Sequence, residues 1–229
     1  MKKTGILLLA LLLLTGCQKQ GEIDPTIPDT EVTGTTVQPE TLSPELVVPE
    51  SDDAFVRVLD HIPTAFQELR YATEENFTGT VIYDFADAYL RWGTVKKLKL
   101  VCDDLAQLDL YIKIWDGFRP VSAQFALWEA FPDSTYVADP NTRYSSHSRG
   151  NTVDLTLVDK EGREVEMPTD FDDFSLKADR DYSDCTETAA NNAQILEILM
   201  EKHGFQGYSG EWWHYSDITS YPVEDVFTP

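Results

Sequence analysis

The chain has 229 residues, of which 42% are hydrophobic and 25% are charged, a composition typical of one sizeable globular domain. Its formal net charge of −22 argues against nucleic acid as a partner, because phosphate binding needs clusters of lysine and arginine. The same charge argues against electrostatic adhesion to anionic lipid headgroups, so contact with a membrane would need another kind of anchor.

The first residues have the features of a secretory signal peptide. Two lysines precede an unbroken apolar run over residues 6–14, which is too short to span a bilayer as a permanent helix. The run ends in Leu14-Thr-Gly-Cys17, which resembles the lipobox of bacterial lipoproteins. The resemblance implies removal of residues 1–16 and lipid on Cys17; the alternative is an ordinary signal peptide with a chance cysteine. Lipid on Cys17 predicts an extracytoplasmic protein anchored to a bacterial membrane, since several acyl chains bind firmly.

Residues 17–53 are predicted to be a tether. After Cys17 the segment is rich in acidic residues, proline and threonine, and it has no apolar periodicity. Such a segment buries too little apolar surface to offset the entropy lost on ordering. We therefore predict a disordered, charge-extended acidic tether between the lipid and a folded domain of residues 54–229.

The first half of this domain contains predicted helices and one clear strand. The apolar pattern begins near Ala54, and residues 71–79 have the character of a loop closed by glycine. Helices are predicted over residues 86–91 and 95–107, the second with apolar positions three and four apart. Residues 108–115 alternate between apolar and polar side chains, which predicts a strand that ends at Asp116-Gly117.

The next elements are a short helix and a hairpin. Ser122 suits the N-cap of a helix over residues 122–130. Residues 151–158 alternate and predict a strand, with Asp154 pointing away from the apolar face. Residues 160–163 form a predicted turn, after which residues 164–167 return as the hairpin partner.

The last elements fix the predicted fold class. A helix over residues 188–203 has an apolar stripe and Gly204 at its end, and residues 210–218 are aromatic and predict a strand. Helices and hairpin strands are mixed without a repeating βαβ pattern. We therefore predict an α+β fold, a single domain with a small antiparallel or mixed sheet flanked by helices.

Cys102 and Cys185 are the cysteines besides Cys17. An even pair in an exported protein is able to form a disulfide, because oxidation is allowed there. The alternative is two buried thiols, which pack as small hydrophobic groups. The sequence leaves both open.

His147, Asp154 and His214 form a candidate metal site. His147 and Asp154 are seven residues apart, and a turn at Gly150 between them brings both side chains to one point. Two imidazoles and one carboxylate suit zinc and leave its fourth position open, as in catalytic sites. The alternative is a surface histidine and an ion pair between Asp154 and Arg149.

Glu211 and Arg119 are candidate catalytic residues. Glu211 lies three residues before His214, and we interpret it as the group that takes a proton from water and returns it to the leaving amine. Residues three apart on an ideal strand point to opposite faces, so Glu211 must lie in a turn or the strand must be bulged. Arg119 is a candidate stabiliser of an oxyanion, and the alternative is a salt bridge to Asp116.

Four motifs in the same order resemble the VanX-type D-alanyl-D-alanine dipeptidases, zinc peptidases of a group that also includes D,D-carboxypeptidases. The resemblance extends over nearly the whole domain and implies the zinc D,D-peptidase, or Hedgehog-like, fold. The motifs are Tyr71–Gly79, Trp115–Pro120, Ser145–Leu157 and Glu211–Tyr215.

The resemblance implies roles for the residues that match these motifs. One zinc ion per chain would be bound by the three candidate ligands, with Glu211 as the general base and then acid and Arg119 as the stabiliser of the transition state. Tyr71 and Asp172 match positions that hold the free amino group of the dipeptide, and Ser145 matches a residue beside the metal. Asp173 is the alternative to Asp172, because the spacing from the preceding motif differs slightly.

The sequence therefore predicts an extracytoplasmic, lipid-anchored zinc dipeptidase that cleaves D-Ala-D-Ala or a close relative. Two alternatives stay open: a carboxypeptidase that trims D-Ala from longer cell-wall peptides, and a non-catalytic module that binds cell-wall peptide. The lipoprotein signal and the acidic tether depart from the better-known family members, which affects the cellular role and not the chemistry.

Overall fold

The structure is a computed structural model, and it describes residues 47–229. The predicted signal peptide, the lipidation site at Cys17 and most of the predicted tether lie outside the described residues. Within residues 47–229, no helix combines the length and the apolar character needed to cross a bilayer.

The described part of the chain contains four α-helices and seven strands. The helices are α1 (Val58–His61), α2 (Trp92–Leu105), α3 (Val121–Ala130) and α4 (Glu187–Lys202). The strands are β1 (Phe55–Arg57), β2 (Phe66–Gln67), β3 (Tyr89–Arg91), β4 (Tyr111–Asp116), β5 (Thr152–Val158), β6 (Phe205–Tyr208) and β7 (Glu211–Asp217).

The main sheet has five strands in the order β2-β4-β5-β7-β6. Strand β2 is parallel to β4, and the other neighbours are antiparallel. Strands β1 and β3 form a separate antiparallel pair. This mixed sheet with its helices confirms the predicted α+β fold class.

Strand β5 is the centre of the domain, and all seven of its residues are buried. Its apolar residues Val153, Leu155 and Leu157 belong to the same buried cluster as Leu98 of α2 and Leu196 of α4. Because successive side chains of a strand point to opposite faces, Asp154 lies on the face away from this cluster, as predicted. The central strand therefore presents a carboxylate where the apolar core ends.

The periodic segments of the sequence were predicted well. Helices α2 and α4 and strands β4, β5 and β7 lie within the predicted segments to within three residues. Helix α4 begins after Thr186, whose side-chain oxygen accepts the backbone N–H of Ala189 at 3.1 Å, and Gly204 with φ of 85° follows its end. Hydrophobic periodicity and caps were sufficient for these elements.

Three local predictions were wrong. Residues 86–91 do not form a helix, because Tyr89–Arg91 pair with β1 instead. The N-cap of α3 is Pro120 and not Ser122. Residues 164–167 do not form a full hairpin partner: only one bridge, Val158 to Glu164, is present. In the first case the strand pairs with β1, which is distant in the sequence. In the last case residues 165–167 form no strand pairing beyond the single bridge at Glu164.

Cys102 and Cys185 are both free thiols, so the disulfide is not formed, but only Cys102 is the buried thiol of the alternative; Cys185 is partly buried. Cys102 is on the buried side of α2, and burial raises the pKa of its thiol to about 12. The Cys185 sulfur lies 3.5 Å from the carbonyl oxygen of Tyr182, before the start of α4. An even number of cysteines does not show whether two of them are close in space. Here the side chains of Cys102 and Cys185 have different surroundings.

Candidate active site

The turn at Gly150 positions His147. Residues His147–Arg149 form one 3₁₀ turn, and Gly150 ends it with φ of 73°. A Cβ at Gly150 would lie 2.4 Å from Phe55, so the turn requires glycine for both its conformation and its packing. Nδ1 of the buried His147 lies 2.8 Å from the carbonyl oxygen of Gly117. This acceptor holds the proton on Nδ1 and leaves the Nε2 lone pair free to bind a metal.

Asp154 and His214 are opposite each other on neighbouring strands. The antiparallel register of β5 and β7 pairs Asp154 with His214. Directly opposed residues of such a pair project their side chains on the same face. Nδ1 of His214 lies 3.0 Å from Oδ1 of Asp154, and Nε2 of His147 lies 3.4 Å from Oδ2 of the same carboxylate. The three predicted ligands are therefore brought together.

The three side chains fit a zinc ion. Nε2 of His147 and Nδ1 of His214 are 3.4 Å apart, and one ligand atom from each residue lies within 4.8 Å of the others. Tetrahedral zinc with its usual bond lengths places ligand atoms about 3.4 Å apart. Oδ1 of Asp154 is buried and has no partner with hydrogen-bond geometry within residues 47–229. A buried acceptor without a donor is suited to a cation.

The charge of Asp154 favours the same interpretation. Burial alone would raise the pKa of this carboxyl, but His147 and His214 more than offset burial and lower the pKa below its usual value. The carboxylate is therefore ionised at neutral pH, as a metal ligand must be.

Glu211 reaches the site because β7 is irregular. Tyr208 of β6 pairs with Glu211, whereas the preceding Gly207 pairs with Tyr215, so the three residues between have no partner on β6. The irregularity meets the requirement for a bulge, and it places Oε2 of Glu211 3.5 Å from Nδ1 of His214. Burial raises the pKa of Glu211, which increases its affinity for a proton.

A second irregularity positions Asp116. Strand β4 pairs Ile114 with Leu155 but Asp116 with Asp154, so Trp115 is an extra residue in the ladder. Asp116 is consequently in line with Asp154 on the next strand. It is fully buried and accepts the Tyr83 hydroxyl at 2.6 Å.

Arg119 is held by Asp116 and also lines the cavity. Its Nη2 and Nε atoms donate to Oδ2 of Asp116 at 2.6 and 3.2 Å, and Nη1 donates to Oε1 of Gln124 at 2.9 Å. The salt bridge to Asp116, which the sequence offered as the alternative role of Arg119, is thus present, and Arg119 lines the cavity as well. The contacts of Arg119 with Gln124 and Tyr83 could not be predicted from the sequence, because both depend on the fold.

Tyr71 and Asp172 meet at another wall of the cavity. The Tyr71 hydroxyl donates to Oδ2 of Asp172 at 2.9 Å, and burial raises the pKa of Asp172 to about 8. Asp172 has φ of 56°, a left-handed conformation that is uncommon outside glycine. Asp173 instead accepts the backbone N–H of Ser175 and lines a different cavity. Of the two candidates in the sequence, the structure places Asp172 in the cavity.

The predicted metal-binding, catalytic and substrate-binding residues all line one cavity of about 350 Å³. Ser145 is buried in its wall, and its Oγ accepts the backbone N–H of His147 at 3.3 Å. Aromatic side chains form much of the remaining lining, together with Arg143 of the loop before Ser145; the aromatic residues are Phe77, Tyr136, Tyr144, Phe174, Tyr208 and Trp213.

Comparison with known proteins gives consistent similarities. A family model described as "D-ala-D-ala dipeptidase" matches residues 52–228. The chain is 38% identical over 159 residues to the D-alanyl-D-alanine dipeptidase of Escherichia coli (strain K12), covering 68% of this chain and 81% of that protein. It is 32% identical over 180 residues to the D-alanyl-D-alanine dipeptidase of Enterococcus faecalis (strain ATCC 700802 / V583), covering 70% and 89%.

Among solved structures, the chain resembles the vancomycin resistance D,D-dipeptidase VanXYg in complex with a D-Ala-D-Ala phosphinate analog. The sequence identity is 19% and the TM-score is 0.39, with 58% of this chain and 52% of that chain covered.

Proposed function

The chain belongs to the D-Ala-D-Ala dipeptidase family of peptidases, and from that premise we propose that it hydrolyses the dipeptide D-Ala-D-Ala, or a close relative, with one zinc ion per chain. The observation that carries the proposal is the convergence of His147, Asp154 and His214 beside Glu211 in one cavity. The family gives the reaction, and this convergence gives the residues that we assign to it.

The three ligands and Glu211 would divide the chemistry. A zinc ion held by His147, Asp154 and His214 supplies Lewis acidity, which polarises a carbonyl group and makes water more acidic. Glu211 takes the proton from the attacking water and gives it to the leaving amine. The raised pKa of Glu211 suits both steps, because a carboxyl with an ordinary pKa is too weak a base at neutral pH to take that proton.

Arg119 would stabilise the negative charge that develops on the carbonyl oxygen. Its guanidinium is held by Asp116 and Gln124 before substrate arrives, so little reorganisation accompanies the reaction. The planar fork on Asp116 also fixes the direction of the remaining N–H groups. We assign Arg119 to this role because it is a buried cation in the wall of the same cavity.

Asp172 and Tyr71 would bind the free amino group of the dipeptide, with Ser145 beside the metal. An ammonium group next to Asp172 favours the ionised carboxylate over the protonated one. A small cavity with an anionic group for the amine favours a free dipeptide over a longer peptide, whose acylated nitrogen has no charge to offer.

We also propose that the protein is a lipoprotein on the outer side of a bacterial membrane. The support is the sequence Leu14-Thr-Gly-Cys17 after a short apolar run and the acidic composition of the segment that follows. Cys17→Ser should release the protein from the membrane fraction of cells. Equal retention of both forms at the membrane would contradict the anchor.

A metal-content assay together with a dipeptide panel tests the enzymatic proposal. Purified protein should contain one zinc per chain and should hydrolyse D-Ala-D-Ala faster than L,D- or L,L-dipeptides. It should also prefer the free dipeptide to its N-acylated analogue. Preference for the acylated form would indicate a carboxypeptidase, and full zinc content without hydrolysis of any peptide would indicate a binding module.

A further inference from the structure

The active-site cavity is lined by more carboxyl groups than guanidinium groups. Besides the metal-binding histidines, its charged lining groups are the carboxylates of Asp154, Asp172 and Glu211 and the guanidiniums of Arg119 and Arg143. Asp154 belongs to the proposed metal site, and the charge of Arg119 is offset by Asp116 at 2.6 Å. A ligand with a carboxylate group therefore needs another cation in the cavity wall, one that has no ion-pair partner among the described residues.

Arg143 is that cation. Every other arginine in residues 47–229 has a hydrogen bond or ion pair through its side chain, whereas the Arg143 side chain has neither within this range; the others are Arg57, Arg70, Arg91, Arg119, Arg149, Arg163 and Arg180. An arginine without a partner in the described part of the chain is unusual in a protein of net charge −22, because acidic side chains outnumber basic ones by 40 to 18.

The backbone of Arg143 is nevertheless held in place. Its N–H donates to the carbonyl oxygen of Asp139 at 3.0 Å, and the N–H of Thr142 donates to the same oxygen at 3.0 Å. Two residues later the chain enters the cavity wall at the buried Ser145. The exposed side chain thus lines the cavity from an anchored turn, and it has no side-chain partner among residues 47–229.

We propose that Arg143 binds the free C-terminal carboxylate of the substrate, an inference that rests on the proposed dipeptidase function. Arginine matches a carboxylate with two parallel hydrogen bonds, which give direction as well as energy. Asp172 enters the cavity from the loop after β5, whereas Arg143 enters from the loop before it. The amine and the carboxylate of one small peptide would then be held by groups of opposite charge from different loops.

The test compares D-Ala-D-Ala with its C-terminal amide. Wild-type protein should prefer the free acid. Arg143→Gln should raise KM for the acid about 10-fold or more, because a charge-assisted hydrogen bond is lost, while kcat changes little. The same substitution should leave the kinetics with the amide unchanged, so the preference for the acid disappears. Arg143→Lys, which keeps the charge but not the fork, should retain part of the preference.

Arg163→Gln is the matched control. Arg163 is an exposed arginine in the turn after β5 and is absent from the cavity lining, so its replacement changes the net charge equally without touching the site. This control should keep the wild-type preference for the acid. Unchanged preference in Arg143→Gln, with its melting temperature equal to that of the wild type, would overturn the proposal.

The proposed function and the role of Arg143 fail in different ways. Hydrolysis by the wild type with unchanged preference in Arg143→Gln removes only the role of Arg143. If the wild type hydrolyses neither compound, the dipeptidase function fails, and calorimetric titration with the dipeptide decides on Arg143. Weaker binding of the acid by Arg143→Gln alone would then support the carboxylate contact, and equal binding would overturn it.

Discussion

Two of the three candidate metal ligands and the candidate substrate-binding residues of the same cavity lie on different kinds of structure. Asp154 and His214 lie on the paired strands β5 and β7, and their meeting follows from strand register. Asp172 and Arg143 lie in loops, and Tyr71 lies in a single 3₁₀ turn, Arg70–Ala72. Strand register therefore aligns two of the three candidate ligands, whereas the positions of the candidate substrate-binding residues depend on the connecting segments.

Removing a metal ligand or the base should produce the largest effect and should separate the two roles within the sheet. His214→Ala should lose both zinc and turnover, since two ligands remain. Glu211→Ala should keep zinc but lower kcat by about 10²–10⁴-fold, because proton transfer is lost. Zinc content and kcat of both purified variants check this. Normal turnover in Glu211→Ala would refute the role assigned to it.

Replacing Arg119 should affect stability as well as rate. Arg119→Met should lower kcat by about 10²–10³-fold, as expected for the loss of a group that stabilises an oxyanion. It also leaves the buried Asp116 without its partner, so the free energy of unfolding should fall by about 3 kcal/mol or more. Urea denaturation and steady-state kinetics measure the two effects. A large loss of rate without loss of stability would argue that Asp116 finds another partner.

The turn at Gly150, which positions His147, offers a test in which no candidate ligand is replaced. Gly150→Ala should destabilise the fold by about 1–3 kcal/mol or more, because φ of 73° and the contact with Phe55 both oppose a Cβ. Gly79→Ala is the control, since Gly79 has φ of 66° but open space around its Cβ position. The control should cost only about 1–2 kcal/mol of conformational strain. Equal losses in the two variants would show that the Phe55 contact is unimportant.

Asp172→Asn should have a smaller effect on activity, and that effect should be on substrate binding. KM for D-Ala-D-Ala should rise about 10-fold while the zinc content stays constant, because Asp172 is assigned to the amine and is not a candidate zinc ligand. A change in zinc content would show that the loop and the sheet are not independent.

The same variant should alter how stability depends on pH. The pKa of Asp172 is about 8 in the folded protein, well above the value of about 4 expected for the unfolded chain. The folded state therefore binds the additional proton, and this contribution to stability is full below about pH 4 and lost as pH rises to about 8. The melting temperature of metal-free wild type should consequently fall more between pH 5 and pH 8 than that of Asp172→Asn.

The sequence predicted most of the site because its signals were local. Alternation in residues 151–158 placed Asp154 opposite the apolar face, and the proximity of Glu211 to His214 required a bulge that the structure contains. The alignment of Asp116 with Asp154 was not predictable, because it depends on one extra residue in the β4 ladder. Strand β3 was not predicted because its partner β1 is more than thirty residues away in the sequence.

Strand β7 pairs with a different strand on each of its two edges, and this arrangement determines which site residues a substitution can move. Glu211 is paired with Tyr208 on the edge strand β6, whereas His214 is paired with Asp154 on the interior strand β5. A substitution that shifts strand β6 would move Glu211, the proposed proton-transfer group. It would leave the pairing of His214 with Asp154, two of the candidate metal ligands, unchanged. Under the roles proposed for these residues, substitutions can therefore alter the rate of proton transfer and the affinity for zinc separately.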